Sequence, residues 1–239
     1  MFFVINKKGI LFGCLLAVFI ALAVWIHAVQ PEEEESVSAF ALPITNKVVL
    51  IDPGHGGIDA GATDNGLVEK DLNLAIAQKL KAYVEQSGGI AVMTRDTDTG
   101  TYAPDRANGV SQKQSDLAER KKMAETYQAD VFVSIHMNKF PQTQYKGAQV
   151  FYAKTPENSE SLAKSIQQSL KDVLQDGNER QAKPNERGVF ILKDAKVPSV
   201  IVECGFLSNP EEAALLKEDG YQQKVAWAIY LGIVKFLYK

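Results

Sequence analysis

Short runs of apolar residues constrain this fold more than any other feature of the chain. Residues 48–51, 131–135 and 200–202 are nearly all aliphatic or aromatic and too short to be buried helices. Runs of that length with no alternation are strands covered on both faces, which is the habit of parallel sheets. Between them lie stripes with a helical period. Leu72, Ile76, Leu80 and Val84 fall four apart ahead of Gly88-Gly89, a glycine pair suited to ending a helix. Leu162, Ile166, Leu170 and Leu174 form a second stripe, Val225, Ile229, Ile233 and Phe236 a third, and Leu117, Lys121 and Ala124 with Tyr127 a weaker one. Further strands are expected at 90–94, 147–152 and 189–192, and Asn209-Pro210 followed by two glutamates starts a capped helix. This alternation predicts an α/β fold, one domain with a mostly parallel, twisted sheet of about six strands covered by helices on both faces.

The N-terminal part reads differently. Residues 1–8 form a short basic end with Lys7 and Lys8, residues 9–29 are almost entirely apolar, and residues 30–46 form an acidic linker carrying Glu32, Glu33, Glu34 and Glu35. The apolar stretch is long enough to cross a hydrocarbon core. Its basic flank should stay inside, so the domain at 47–239 is expected on the outer side of the membrane. Ala21-Leu22-Ala23 and Ala39-Phe40-Ala41 satisfy a small-x-small cleavage pattern, but one lies inside the apolar run and the other well beyond it, so an uncleaved anchor is favoured over a signal peptide. His27, within this segment, reads as an interfacial residue and not a ligand.

Charge and cysteine content exclude some classes. Without Lys7, Lys8 and the four linker glutamates, the 26 basic and 29 acidic side chains of the chain become 24 and 25, which leaves no electrostatic footprint for nucleic acid. Cys14 lies in the apolar segment and Cys204 in a late strand, so no disulfide can form within the domain; Cys204 reads as a small buried hydrophobe.

Ligands in open α/β sheets sit beyond the carboxyl ends of the strands. His55 follows the first strand within Asp52-Pro53-Gly54-His55-Gly56-Gly57, His136 follows residues 131–135, and Glu203 follows residues 200–202. Glu69 opens the first long helix, where an acidic side chain is also favoured by the helix dipole. Two histidines and one carboxylate are a ligand set for catalytic zinc with a position left for water. A second carboxylate can then exchange protons with that water and a leaving group. On chemistry alone either Glu69 or Glu203 could be the ligand and the other the base. A turn-capping His55 with a satisfied core His136 is the non-functional alternative.

Four ordered motifs narrow this: Asp52-Pro53-Gly54-His55-Gly56-Gly57, Glu69-Lys70-Asp71-Leu72-Asn73-Leu74, Ser134-Ile135-His136-Met137-Asn138 and Val202-Glu203-Cys204-Gly205-Phe206-Leu207-Ser208-Asn209. Together they resemble the zinc-dependent N-acetylmuramoyl-L-alanine amidases of the amidase type 3 group, peptidoglycan hydrolases, over about residues 48–236. The resemblance implies one Zn2+ per domain on His55, Glu69 and His136, with Glu203 as the catalytic carboxylate. It implies hydrolysis of the amide joining the lactyl group of N-acetylmuramic acid to the L-alanine of the stem peptide. Asn138 could orient a ligand, meet substrate or simply form a turn, Arg95 and Arg120 are candidates for ion pairs or substrate contact, and Asp52 could support His55 from behind or only accept turn amide hydrogens. The membrane-tethered layout and the polar insertion after Thr94-Arg95 are similar to spore-cortex amidases, which act in muramic-lactam formation and germination. Expected partners are peptidoglycan glycan strands and stem peptides and the membrane through residues 9–29, with room for a regulatory protein. The catalytic domain is expected to be monomeric, at the outer side of the cytoplasmic membrane or the forespore–mother cell intermembrane space. The polar stretches 96–115 and 175–187 are expected to shape the glycan groove or act as lids. A zinc peptidase acting on stem peptides and a non-catalytic wall-binding module are the competing functions.

Overall fold

The computed structural model describes residues 16, 18–20, 22, 44–103, 109–186 and 188–238. The chain divides into two units, residues 1–41 and 42–239. Most of the expected membrane segment and nearly all of the acidic linker lie outside the described residues, and among the described residues no helix is long and apolar enough to cross a membrane.

The second unit is an α/β domain. In chain order it contains β1 (Val48–Pro53), the short hairpin β2 (Thr63–Asp64) and β3 (Leu67–Val68), α1 (Glu69–Gln86), β4 (Ile90–Met93), α2 (Gln112–Thr126), β5 (Val131–Asn138), β6 (Gln149–Tyr152), α3 (Asn158–Leu174), β7 (Lys183–Pro184), a 3₁₀ turn (Phe190–Leu192), β8 (Ser199–Phe206), α4 (Pro210–Lys217) and α5 (Asp219–Leu237). The main sheet has six strands in the order β4-β1-β5-β8-β6-β7. Neighbours β4, β1, β5 and β8 are parallel; β6 runs antiparallel to β8, and β7 follows β6.

Alternation along the strands assigns the two faces. Val49, Ile51, Val133, Ile135, Val200 and Val202 point into the larger core, closed by Ile76 and Leu80 of α1, Leu162 and Ile166 of α3, and Val225 and Ile229 of α5. Each such fully buried side chain contributes about 1.5 to 3 kcal/mol by leaving water. The opposite face is covered more thinly: Leu50, Phe132 and Ile201 meet Ala124 of α2 and Ile191 and Leu192 of the 3₁₀ turn. The same alternation puts Asp52, Ser134, His136, Glu203 and Gln149 on this thinner side, nearer the carboxyl ends of β1, β5 and β8.

Two expectations are corrected, and one element has no counterpart among them. Residues 189–192 are a 3₁₀ turn and not a strand: the Asn185 amide side chain accepts from Val189 N at 3.1 Å and donates to Val189 O at 3.2 Å, curling the segment. His136 and Glu203 lie inside β5 and β8, because the ladder continues past the apolar runs and pairs His136 with Glu203 before a register shift at Asn138. The β2–β3 hairpin, invisible as a two-residue pattern, delivers the chain to the start of α1 at Glu69. The capped start after β8 is as expected: the Asn209 side chain accepts from Glu212 N at 3.0 Å, with Pro210 in the first turn.

Candidate metal centre

Three elements deliver three side chains to one point. His55 sits in the turn after β1 at φ 62, a left-handed conformation unusual for a residue with a β-carbon. Gly56 and Gly57 continue the turn at φ 131 and 56. Glu69 opens α1, and His136 stands on β5. His136 Nδ1 lies 2.9 Å and His55 Nε2 3.3 Å from the same oxygen, Glu69 Oε1. One ligand atom from each residue can be chosen so that all three lie within 4.8 Å of one another.

Small residues make room for this. A β-carbon on Gly54 would lie 2.3 Å from the His136 ring, and one on Gly61 would lie 2.6 Å from Glu69 Oε2 and 2.7 Å from the His55 ring. Backbone amides fix the carboxylate: Ala62 N donates to Glu69 Oε2 at 2.7 Å and Met137 N to Oε1 at 3.1 Å. His55 Nδ1, on the far side of the ring, is 3.1 Å from Asp59 Oδ2.

The electrostatics favour a cation. Glu69 is almost fully buried; burial opposes its ionisation, yet hydrogen bonds from His136 and His55 and the charge of both rings hold it well below the usual carboxylate range. Burial likewise opposes charging of His136, and its hydrogen bond to Glu69 with the negative charges of Glu203, Glu69 and Asp52 raises it. Two imidazoles among carboxylates, with backbone support and a glycine cradle, match the two-nitrogen, one-oxygen donor set of a zinc site.

Around the centre, two buried arginines grip the turn that carries His55. Arg95 donates to the carbonyls of Pro53 at 2.9 Å, Gly54 at 3.1 Å, His55 at 2.7 Å, Thr97 at 3.0 Å and Lys70 at 2.8 Å. Arg120 donates to Pro53 O at 2.8 Å, His55 O at 2.6 Å, Asp52 Oδ1 at 2.9 Å and Asp116 Oδ2 at 2.6 Å. Asp52 in turn accepts from Thr94 Oγ1 at 2.6 Å and Ser134 Oγ at 2.5 Å. Asp52 is therefore bonded to Arg120 and two hydroxyls, and the carboxylate beside the His55 ring is Asp59. Asn73 Nδ2 adds a bond to Gly54 O at 3.0 Å. Asp59 is not singled out by the sequence, and Asn73 stands there only as a member of the Glu69–Leu74 motif, without a role. The only available signals were an acid four residues after His55 in a glycine-rich turn and an amide one turn into α1.

Glu203 faces a cleft of about 610 Å³ whose wall includes Asn138, Phe140, Gln149, Arg180 and Asn185. The second polar stretch thus reaches the cleft through residues 180–186. The first reaches the His55 turn: Asp98 accepts from Gly57 N at 2.8 Å and from Lys70 Nζ at 2.6 Å. Cys204, next in β8, is a buried free thiol pushed up by burial, in keeping with a small core residue.

Residues 49–235 match the family model described as N-acetylmuramoyl-L-alanine amidase. The chain belongs to that family. The amidase is similar to the germination-specific N-acetylmuramoyl-L-alanine amidase of Bacillus subtilis (strain 168), 36% identical over 231 residues that cover 96% of each protein. Its fold is similar to the CwlD amidase from Clostridioides difficile solved in complex with the GerS lipoprotein, at a TM-score of 0.76 and 45% identity over 80% of this chain and 98% of that one. An N-acetylmuramoyl-L-alanine amidase from Clostridium difficile 630 follows at a TM-score of 0.70 and 30% identity, over 81% and 97%. The six-stranded α/β architecture of the amidase is that of these neighbours.

Proposed function

We propose that this amidase hydrolyses the bond between the lactyl group of N-acetylmuramic acid and the L-alanine of the stem peptide, with His55, Glu69 and His136 as zinc ligands and Glu203 as general base and acid. The observation that carries the reading is the convergence of the two imidazoles on Glu69 Oε1, with Glu203 directly across the ladder from His136. Zinc held there supplies Lewis acidity and a water acidified towards neutrality. Glu203, facing the cleft, takes the proton of the attacking water and returns it to the departing amine. Glu69 is suited to the ligand role and not to proton transfer, because two backbone amides and both imidazoles hold it ionised and immobile. Arg95 and Arg120 keep the His55 turn in place, Asp52 anchors Arg120, and Asp59 orients the His55 ring.

Peptidoglycan lies outside the cytoplasmic membrane, so the catalytic unit from residue 47 acts there, tethered by residues 9–29 and the acidic linker. Similarity to a germination-specific amidase over nearly the whole of both chains supports a role in the spore cortex, within the space between forespore and mother cell. The solved complex of CwlD with the GerS lipoprotein supports a regulatory protein partner.

Digestion of purified peptidoglycan by the zinc-loaded full chain, followed by mass analysis, tests this. Free stem peptides with a new L-alanine amino terminus are expected; cuts within the peptides would make the protein a peptidase, and an absence of product would make it a binding module. Glu203→Ala should lose about 10² to 10⁴-fold in turnover while keeping one zinc. Loss of zinc in that variant would make Glu203 a ligand and overturn the assignment.

A further inference from the structure

A third arginine near the site is used differently from the other two. Arg95 and Arg120 are buried and spend their donors on backbone carbonyls and the carboxylates of Asp52 and Asp116. Arg180 is half-buried in the wall of the cleft that Glu203 faces. Its Nε donates to Lys146 O at 2.8 Å and its Nη1 to Gln149 Oε1 at 3.0 Å. The guanidinium also lies 4.7 Å from the centre of the Phe206 ring, a cation–π contact. These contacts are with neutral groups and hold the fork in one orientation. The nearby Glu212 carboxylate feels its charge but is already occupied, accepting from Gly147 N at 2.9 Å and Phe206 N at 2.8 Å. A guanidinium immobilised in advance loses little entropy on meeting a planar anion.

Its position follows from the ladder. His136 pairs with Glu203, and Glu203 pairs with Gln149, so the three form a row across β5, β8 and β6 on one face, with Arg180 bound to the last. Adjacent strands are about 4.8 Å apart. Arg180 therefore stands roughly 5 to 10 Å beyond the point where water attacks, or one to three residues of extended peptide at about 3.3 Å each. A substrate carboxylate entering this cleft would be repelled by Glu203 and Glu186 unless a cation received it; the wall offers Arg180 and Lys183, and of the two Arg180 has the planar fork that matches a carboxylate.

Building on the amidase reading, we infer that Arg180 receives the free carboxylate of the γ-linked glutamate that follows the L-alanine of the stem peptide. It thereby selects stems with that carboxylate free over stems in which it is amidated.

The test compares two soluble substrates, N-acetylmuramoyl-L-alanyl-D-isoglutamate and its isoglutamine counterpart, on the zinc-loaded full chain. The acid should exceed the amide by about 10- to 100-fold in kcat/KM, the range for a hydrogen bond to a charged group. Arg180→Met should bring the ratio to about 1, chiefly through KM, with zinc content unchanged and the thermal midpoint lowered slightly by the lost contacts to Lys146, Gln149 and Phe206; Arg180→Lys, which keeps the charge without the fork, should restore part of it. A wild-type ratio near 1, or the same ratio in all three proteins, overturns the inference. Should neither substrate be cleaved, the amidase reading fails, and calorimetric titration with L-alanyl-γ-D-glutamate against its amide decides the subsite independently. Arg180-dependent preference for the acid sustains it, and equal affinities overturn it.

Discussion

At His55 the backbone stores strain: a left-handed conformation costs a residue with a β-carbon about 1 to 3 kcal/mol. The carbonyls of Pro53, Gly54 and His55, taken up by Arg95 and Arg120, hold it there. Turn-forming capacity is legible in the sequence as three glycines around a histidine, and it accounts for Gly56 and Gly57, which lie at positive φ. Gly54 has another reason to be glycine: the His136 imidazole occupies the place of its missing side chain. Gly54→Ala should therefore weaken zinc affinity by about 10- to 100-fold, as other disturbances behind a metal ligand do, with the far-UV spectrum unchanged; competition against a chelator measures it. That reason was not legible, because it depends on a side chain 82 positions away in the chain. Asp59 and Arg180 stayed hidden similarly, since both owe their roles to neighbours that only the fold supplies.

The elements were the most legible level, because a strand covered on both faces and a helix covered on one stripe write different periods into the sequence. That logic found β1, β5 and the core of β8, and it failed at residues 189–192, where side-chain bonds from Asn185 override an apolar run. The join between β1 and α2 has energetic consequences. Arg120 and Asp52 form a buried pair at 2.9 Å, each less than 4% exposed in its side chain. Removing one partner of such a pair costs about 3 to 5 kcal/mol, so Arg120→Ala should shift the urea unfolding midpoint strongly. Burial opposes the charge on Asp52, but Arg120 and the hydroxyls of Ser134 and Thr94 hold its carboxyl below its ordinary 3.8. The unfolded chain thus takes up that proton at a higher pH than the folded one. The pairing stabilises fully above about pH 5 and fades as the pH drops through the lower folded value. Asp52→Asn should accordingly be less stable than wild type at neutral pH, and the gap should narrow steadily below about pH 4.

Among the described residues of the catalytic unit, α1, α3 and α5, with Leu216 of α4, seal one face of the sheet, while α2 and the 3₁₀ turn cover the other. His136 and Glu203 belong to the central strands β5 and β8, whose other sides face the main core, whereas His55 and Arg180 ride on loops at the rim. Motion is consequently unequal within one site. Amides of β5 and β8 should exchange with deuterium only through openings close to global unfolding, while those of residues 55–57 and 175–186 should exchange through much smaller local openings. Exchange followed by mass spectrometry, with and without zinc, should show slowing confined to the His55 turn and the start of α1. Half of the centre is then permanent scaffold, and the other half can loosen to admit a metal ion or a bulky polymer without melting the fold.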